Sequence, residues 1–137
     1  MNNGTIGFIG LGNMGSRIAR CLLAGGFRVV GYDSNPEAAA SVGIEVATSI
    51  TEVVGSAPVI LMSLPDSKVV EAVVEADGGV LAASAEGQVI VDLSTASASS
   101  TIRLARLFEE RGAYYVDAGI SGGAAAAEKG TLTLMVG

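Results

Sequence analysis

An open, doubly wound α/β sheet with mostly parallel strands is the fold class that the sequence predicts, and three observations predict it. Short apolar runs with strand character alternate with stretches of helical apolar spacing along the whole chain. Gly10, Gly12 and Gly15 lie between the first strand run and the first helical pattern. The composition is 50% apolar and only 4% aromatic, with 19 glycines, which suits small side chains packed closely on both faces of a sheet. One domain over residues 1–137 is the expectation, with strand order 3-2-1-4-5-6 and an antiparallel last strand.

The first strand is read at Thr5 to Ile9, and a helix follows from Met14 to Ala24 with Ile18, Cys21, Leu22 and Met14 as its apolar positions. Between them stands Gly10-Leu11-Gly12-Asn13-Met14-Gly15, a G-x-G-x-x-G sequence in the strand-to-helix context that a dinucleotide-binding, Rossmann-type turn requires. In such a turn the first glycine permits the bend and the second lets a pyrophosphate approach the backbone. The third lets helix and strand pack closely. Free N–H groups at the helix start then face the phosphates. Gly25 and Gly26 end the helix.

A second strand, Arg28 to Tyr32, ends at Asp33, eighteen residues after Gly15. At that distance an acidic residue accepts hydrogen bonds from the adenosine ribose hydroxyls and repels a 2′-phosphate, so NAD is favoured over NADP. The competing role for Asp33 is to start the Asp-Ser-Asn-Pro turn and cap the helix from Pro36.

Pro36 to Val42 reads as a short helix and Glu45 to Ala47 as a minimal third strand. Ser49, with Glu52 three residues on, opens a helix ending near Gly55. Pro58 to Met62 is the fourth strand, and it stops at Ser63-Leu64-Pro65-Asp66, where Leu64 and Pro65 are placed to pack near a cofactor. Asp66 to Glu75 is helical, with Lys68 and Glu71 on a solvated face. Gln88 to Val91 is the fifth strand, and Asp92-Leu93-Ser94-Thr95 opens a loop running to Ser100. A helix from Thr101 to Glu110 and a sixth strand from Ala113 to Asp117 follow. Ser121-Gly122-Gly123, an alanine run and a seventh strand from Thr131 to Val136 complete the series.

Two loops leave alternatives open. Ser94 and Thr95 suit hydrogen bonding to a nicotinamide or a substrate carboxylate, and equally suit helix capping. Ser121 to Gly123 can form an anion-binding nest of backbone N–H groups or a plain flexible turn. Asp92 and Asp117, at strand ends, are expected to fix loop backbone.

The totals exclude other classes. Fourteen acidic and eight basic residues give a net charge of −6 with no basic stripe, so nucleic acid is not an expected partner. The single cysteine, Cys21, rules out a disulfide within the chain and suits a reducing compartment. It reads as small core packing. Met1 to Thr5 lacks the features of a leader, and no stretch has the length of a membrane span, so the expected location is the cytoplasm. With no histidine and no Cys/His cluster, no metal site is expected.

G-F-I-G-L-G-N-M-G at Gly7 to Gly15, D-L-S-T at Asp92 to Thr95, and D-A-G-I-S-G-G…K-G-T-L-T-L-M-V-G at Asp117 to Gly137 together resemble the β-hydroxyacid dehydrogenases. That group includes 3-hydroxyisobutyrate dehydrogenase and tartronate semialdehyde reductase, with phosphogluconate dehydrogenase more distant. The resemblance covers the whole chain. It implies hydride transfer between NAD and a small 3-hydroxyacid or its semialdehyde; a homo-oligomer is the expected assembly. It also implies that Leu11 to Met14 contact the pyrophosphate, that Leu64, Pro65 and Thr95 line the nicotinamide side, and that Ser121, Gly122 and Gly123 hold the substrate. The family carries a proline after its serine-threonine loop, where Ala98 stands here. Its catalytic lysine and helical second domain lie beyond the point matched by Gly137, and neither Lys68 nor Lys129 fits the lysine's motif, so no catalytic residue is expected among these 137. Without that helical domain, an apolar patch beside Ala124 to Ala127 and the last strand is expected to favour self-association. The alternative is a stand-alone, non-catalytic nucleotide-binding module. An imine reductase-like protein shares the glycine motif but fits the Ser-Gly-Gly stretch poorly.

Overall fold

Seven strands form one sheet in the order β3-β2-β1-β4-β5-β6-β7, parallel throughout except where β7 runs antiparallel to β6. The computed structural model describes residues 4–137; Met1 to Asn3, part of the stretch read for a leader, lie outside the described residues. The elements run β1 (Thr5–Ile9), α1 (Asn13–Ala24), β2 (Arg28–Tyr32), α2 (Pro36–Ala40), β3 (Glu45–Val46), α3 (Ile50–Ser56) and β4 (Val59–Met62). They continue as α4 (Ser67–Glu75), α5 (Val80–Ala83), β5 (Val89–Asp92), α6 (Ala98–Glu110), β6 (Tyr114–Ser121), α7 (Gly123–Lys129) and β7 (Thr133–Val136).

Alternation along the central strands sends side chains to two separate cores. Ile9, Ile60, Met62 and Ile90 face one way, onto Val53 and Val54 of α3, Val70 and Val74 of α4, Val80 of α5, and Leu104 and Phe108 of α6. Phe8, Val29, Leu61 and Val91 face the other way, onto Ala19 of α1 and Ala39 of α2. The chain changes face between β3 and β4, so the crevice at the carboxyl ends of β1 and β4 is the topological switch point at which open α/β sheets bind ligands.

Helix starts follow local chemistry. Ser49 caps α3 by accepting from the Glu52 N–H, Asp66 caps α4 by accepting from the Val69 N–H, and Ser97 caps α6 by accepting from the Ser100 N–H. The Glu52 carboxylate reaches past its cap to the Thr48 N–H and hydroxyl, each at 2.8 Å, and these bonds hold its pKa below the ordinary glutamate value.

Several boundaries differ from the sequence expectation. The buried face of α1 is Gly15 and Ala19, with Ile18 and Leu22 only partly buried, because close approach to the sheet favours the smallest side chains there. Cys21 is half-buried against α7, its thiol 3.0 Å from the Ala127 carbonyl oxygen. The sixth strand does not stop at Asp117. Pairing with β7 carries it to Ser121, so Asp117 lies within the strand and Ser121 is its last residue. Helix α6 starts at Ala98 instead of Thr101, which puts Ala98 at the first helical position. Lys129 is the exposed last residue of α7. Of the face expected to be solvated, Lys68 is exposed, while Glu71 is half-buried and pairs with Arg103 of α6 at 3.4 Å.

Candidate functional site

The turn after β1 is bonded to both neighbouring strand ends. The Gly10 N–H donates to the Tyr32 carbonyl at 3.0 Å, and the Ser63 N–H donates to the Ile9 carbonyl at 2.9 Å. Gly10 has φ +94°, and a side chain there would run into the Ser63 carbonyl oxygen, so only glycine fits the bend. At Gly15 a Cβ would collide with the Gly10 carbonyl oxygen and lie 3.2 Å from the Phe8 ring. Gly12 differs from both, since a Cβ there would meet nothing within 4 Å.

Gly12 is the N-cap of α1 and supplies no side-chain cap, and the first turn carries no acidic residue. The N–H groups of Asn13, Met14 and Gly15 therefore have no intrahelical acceptor and lie at the positive end of the helix dipole. Arg17 folds back over this turn, donating to the Asn13 carbonyl at 2.7 Å and to its side-chain oxygen.

Asp33, just past β2, accepts from the Leu11 N–H at 2.7 Å through Oδ2 and from the Asn35 N–H at 2.8 Å through Oδ1. The cap of α2 is Asn35, whose side chain accepts from the Glu37 N–H at 3.1 Å; Asp33 does not cap that helix. Leu11 itself is buried, so only its backbone is presented at the turn.

A cavity of about 500 Å³ opens between these groups. Gly10, Gly12, Asn13, Met14, Gly15 and Asp33 border it on one side, and Leu64 and Pro65 on the other. Ser34 and Val69, which the sequence reading did not single out as site residues, border it too. Val69 lies in the first turn of α4, just after Leu64-Pro65, and that position is the one sequence signal for it.

The loops after β4 and β5 are tied together. Asp92, fully buried at the end of β5, accepts from the Ser94 N–H at 2.9 Å and from the Tyr115 hydroxyl at 2.7 Å. The Ser94 hydroxyl oxygen in turn accepts from the Leu64 N–H at 2.8 Å. Burial, and secondarily the Asp92 charge, push the Tyr115 phenol pKa well above its ordinary value, so it remains a donor. Neither Ser94 nor Thr95 caps α6, a role taken by Ser97. Thr95 is exposed on the same loop, outside the cavity, as are Ser121, Gly122 and Gly123. Gly122 has φ +126° and Gly123 φ +71°, which turn the chain from β6 into α7.

Residues 5–137 match the family described as the NAD binding domain of 6-phosphogluconate dehydrogenase. The chain belongs to that family. It is 44% identical over 135 residues to 2-(hydroxymethyl)glutarate dehydrogenase of Eubacterium barkeri, covering 96% of this chain and 45% of that protein. The solved structure of Mycobacterium tuberculosis 3-hydroxyisobutyrate dehydrogenase with L-serine superposes with a TM-score of 0.90 at 38% identity, over 97% of this chain and 46% of that one. A structure titled Psf3 in complex with NADP+ and 2-OPP superposes with a TM-score of 0.92 at 34% identity, over 96% and 48% of the two chains. The chain thus spans about half the length of the relatives it matches.

As an NAD-binding domain, the chain has a turn that fits its cofactor. The space beside Gly12 leaves the room a diphosphate would need next to the backbone, and the N–H groups of the first turn would be its donors. Among the described residues, no group of three or more His, Cys, Asp or Glu side chains could hold a metal ion, and no helix is long and apolar enough to cross a membrane.

Proposed function

We propose that this NAD-binding domain serves an oxidoreductase that transfers a hydride between NAD and a small 3-hydroxyacid or its semialdehyde. The observation that carries the reading is the open face of Gly12 beside the Asp33 carboxylate on the border of one crevice. In this reading Gly10 and Gly15 shape the turn, Gly12, Asn13 and Met14 hold the pyrophosphate, and the Leu11 backbone, its N–H taken by Asp33, ties that turn to the acid. Asp33 accepts from the ribose hydroxyls and disfavours a 2′-phosphate. Leu64, Pro65 and Thr95 flank the nicotinamide, and Ser121, Gly122 and Gly123 hold the substrate.

Bound NAD supplies a hydride acceptor at the nicotinamide C4. Leu64 and Pro65 keep water from that side of the crevice. Lys68 and Lys129 are both exposed and neither borders the crevice, so the proton on the substrate hydroxyl is assigned to a group outside residues 1–137. The domain as a unit over 1–137, its completion by a helical domain and a cytoplasmic setting belong to the same proposal. So does homo-oligomerisation, which the exposed Leu134, Met135 and Val136 of β7 support.

Calorimetric titration of the chain with NAD and, separately, NADP tests the reading. Tighter binding of NAD, weakened in Asp33→Ala, is the expected result. Preference for NADP would overturn the role of Asp33, and binding of neither would overturn the cofactor site.

A further inference from the structure

We propose that Tyr115 is a positioning residue for the nicotinamide side of the crevice, acting through Asp92 and Ser94 on the loop that carries Leu64 and Pro65. The inference rests on the cofactor site proposed above and adds to it a residue three strands away from the glycine turn.

Tyr115 belongs to β6, opposite Ile90 in register, and its ring lies flat on Phe108 with centroids 5.3 Å apart and planes at 12°. That stacking fixes the direction of the hydroxyl, which donates to Asp92 Oδ2 at 2.7 Å. Asp92 has no exposed surface, so no solvent water can take the place of the phenol. Its other oxygen holds the Ser94 N–H, and the Ser94 hydroxyl oxygen holds the Leu64 N–H. A second stitch joins the same two segments, with the Ser97 N–H donating to the Ser67 hydroxyl at 2.8 Å. The bonds run unbroken from a half-buried phenol on β6 to the backbone of Leu64, which borders the cavity.

Packing alone does not account for a tyrosine here. Phenylalanine would stack on Phe108 equally well, and what the hydroxyl adds is the partner for a buried carboxylate whose other arm sets the Ser94 loop. Loss of that hydroxyl leaves Asp92 short of a donor and free to turn, and the loops it orients lose their fixed placement.

The test compares NAD with ADP-ribose, which keeps the pyrophosphate and both riboses but lacks the nicotinamide, by calorimetry on the wild type, Tyr115→Phe and Ser94→Ala. The expected result is NAD binding weakened about five-fold in each variant with ADP-ribose changed less than about two-fold, a selective loss worth roughly one misplaced hydrogen bond. Faster hydrogen exchange at the Leu64 amide in both variants should accompany it. An unchanged ratio between the two ligands, whether both weaken together or neither does, would overturn the proposal and leave Tyr115 a structural residue. If Tyr115→Phe does not fold, Ser94→Ala decides by the same ratio. Wild-type chain that binds neither ligand is a distinct result, which overturns the cofactor site and this inference with it.

Discussion

The Leu11 N–H and Asp33 Oδ2 are joined by a 2.7 Å hydrogen bond, which makes the glycine turn after β1 and the acid after β2 one unit. Asp33 also holds the Asn35 N–H, so each carboxylate oxygen has its own backbone donor. Asp33→Asn offers one acceptor where two are needed and sets an amide N–H against a backbone N–H. The expected cost is about 1 to 3 kcal/mol of stability by urea unfolding. NAD affinity should fall about ten-fold or more in the same variant, read by calorimetry.

Gly12 and Gly15 separate binding from folding. Gly12→Ala meets empty space in the free protein, so its unfolding midpoint should stay near that of the wild type while NAD binding is lost. Gly15→Ala drives a methyl group into the Gly10 carbonyl oxygen and should cost about 1 to 3 kcal/mol or more by denaturant unfolding. Equal stability of the two variants would contradict the assignment.

Tyr115 sets an alkaline limit. Its phenol pKa is raised in the folded chain, chiefly by burial, so the neutral form is what folding favours. The associated stability is fully present below the unfolded phenol pKa of about 10 and is lost as pH rises above it. The wild type should therefore lose stability between about pH 10 and 12 more steeply than Tyr115→Phe, with the two curves parallel at lower pH, as measured by urea unfolding across that range.

Gln88 is a structural keystone at the opposite end of the sheet. Its amide nitrogen donates to the Val54 and Ala57 carbonyls at 2.6 and 2.8 Å, and its oxygen accepts from the Ala85 N–H at 3.0 Å. Gln88→Leu keeps the volume but strands these groups, so a loss of about 2 to 4 kcal/mol is expected, with NAD binding unchanged.

Much of the architecture was legible because its signals are local. Alternating strand and helix patterns gave the parallel sheet and its order, and the glycine spacing with Asp33 located the crevice. What escaped depends on contacts distant in sequence. The extension of β6 to Ser121 comes from pairing with β7, whereas Asp117-Ala118-Gly119 read locally as the end of a strand. The buried stripe of α1 is made of Gly15 and Ala19, which carry almost no hydrophobic signal. The bond between Tyr115 and Asp92 spans 23 residues, and nothing in the spacing of either marks it. Ser94 and Thr95 carry the same local signal, suited to capping or to ligand binding. The structure separates them, giving Ser94 a loop-to-loop bond and leaving Thr95 exposed.

The backbone bonds that tether the glycine turn to Tyr32 on one side and Ser63 on the other have a thermodynamic consequence. Fixing a residue's backbone costs about 1 to 2 kcal/mol in conformational entropy, and around Gly10 folding has already done so before any nucleotide arrives. Association then needs little further ordering of this turn, so its heat capacity change should reflect the surface the nucleotide covers and carry no added signature of coupled folding.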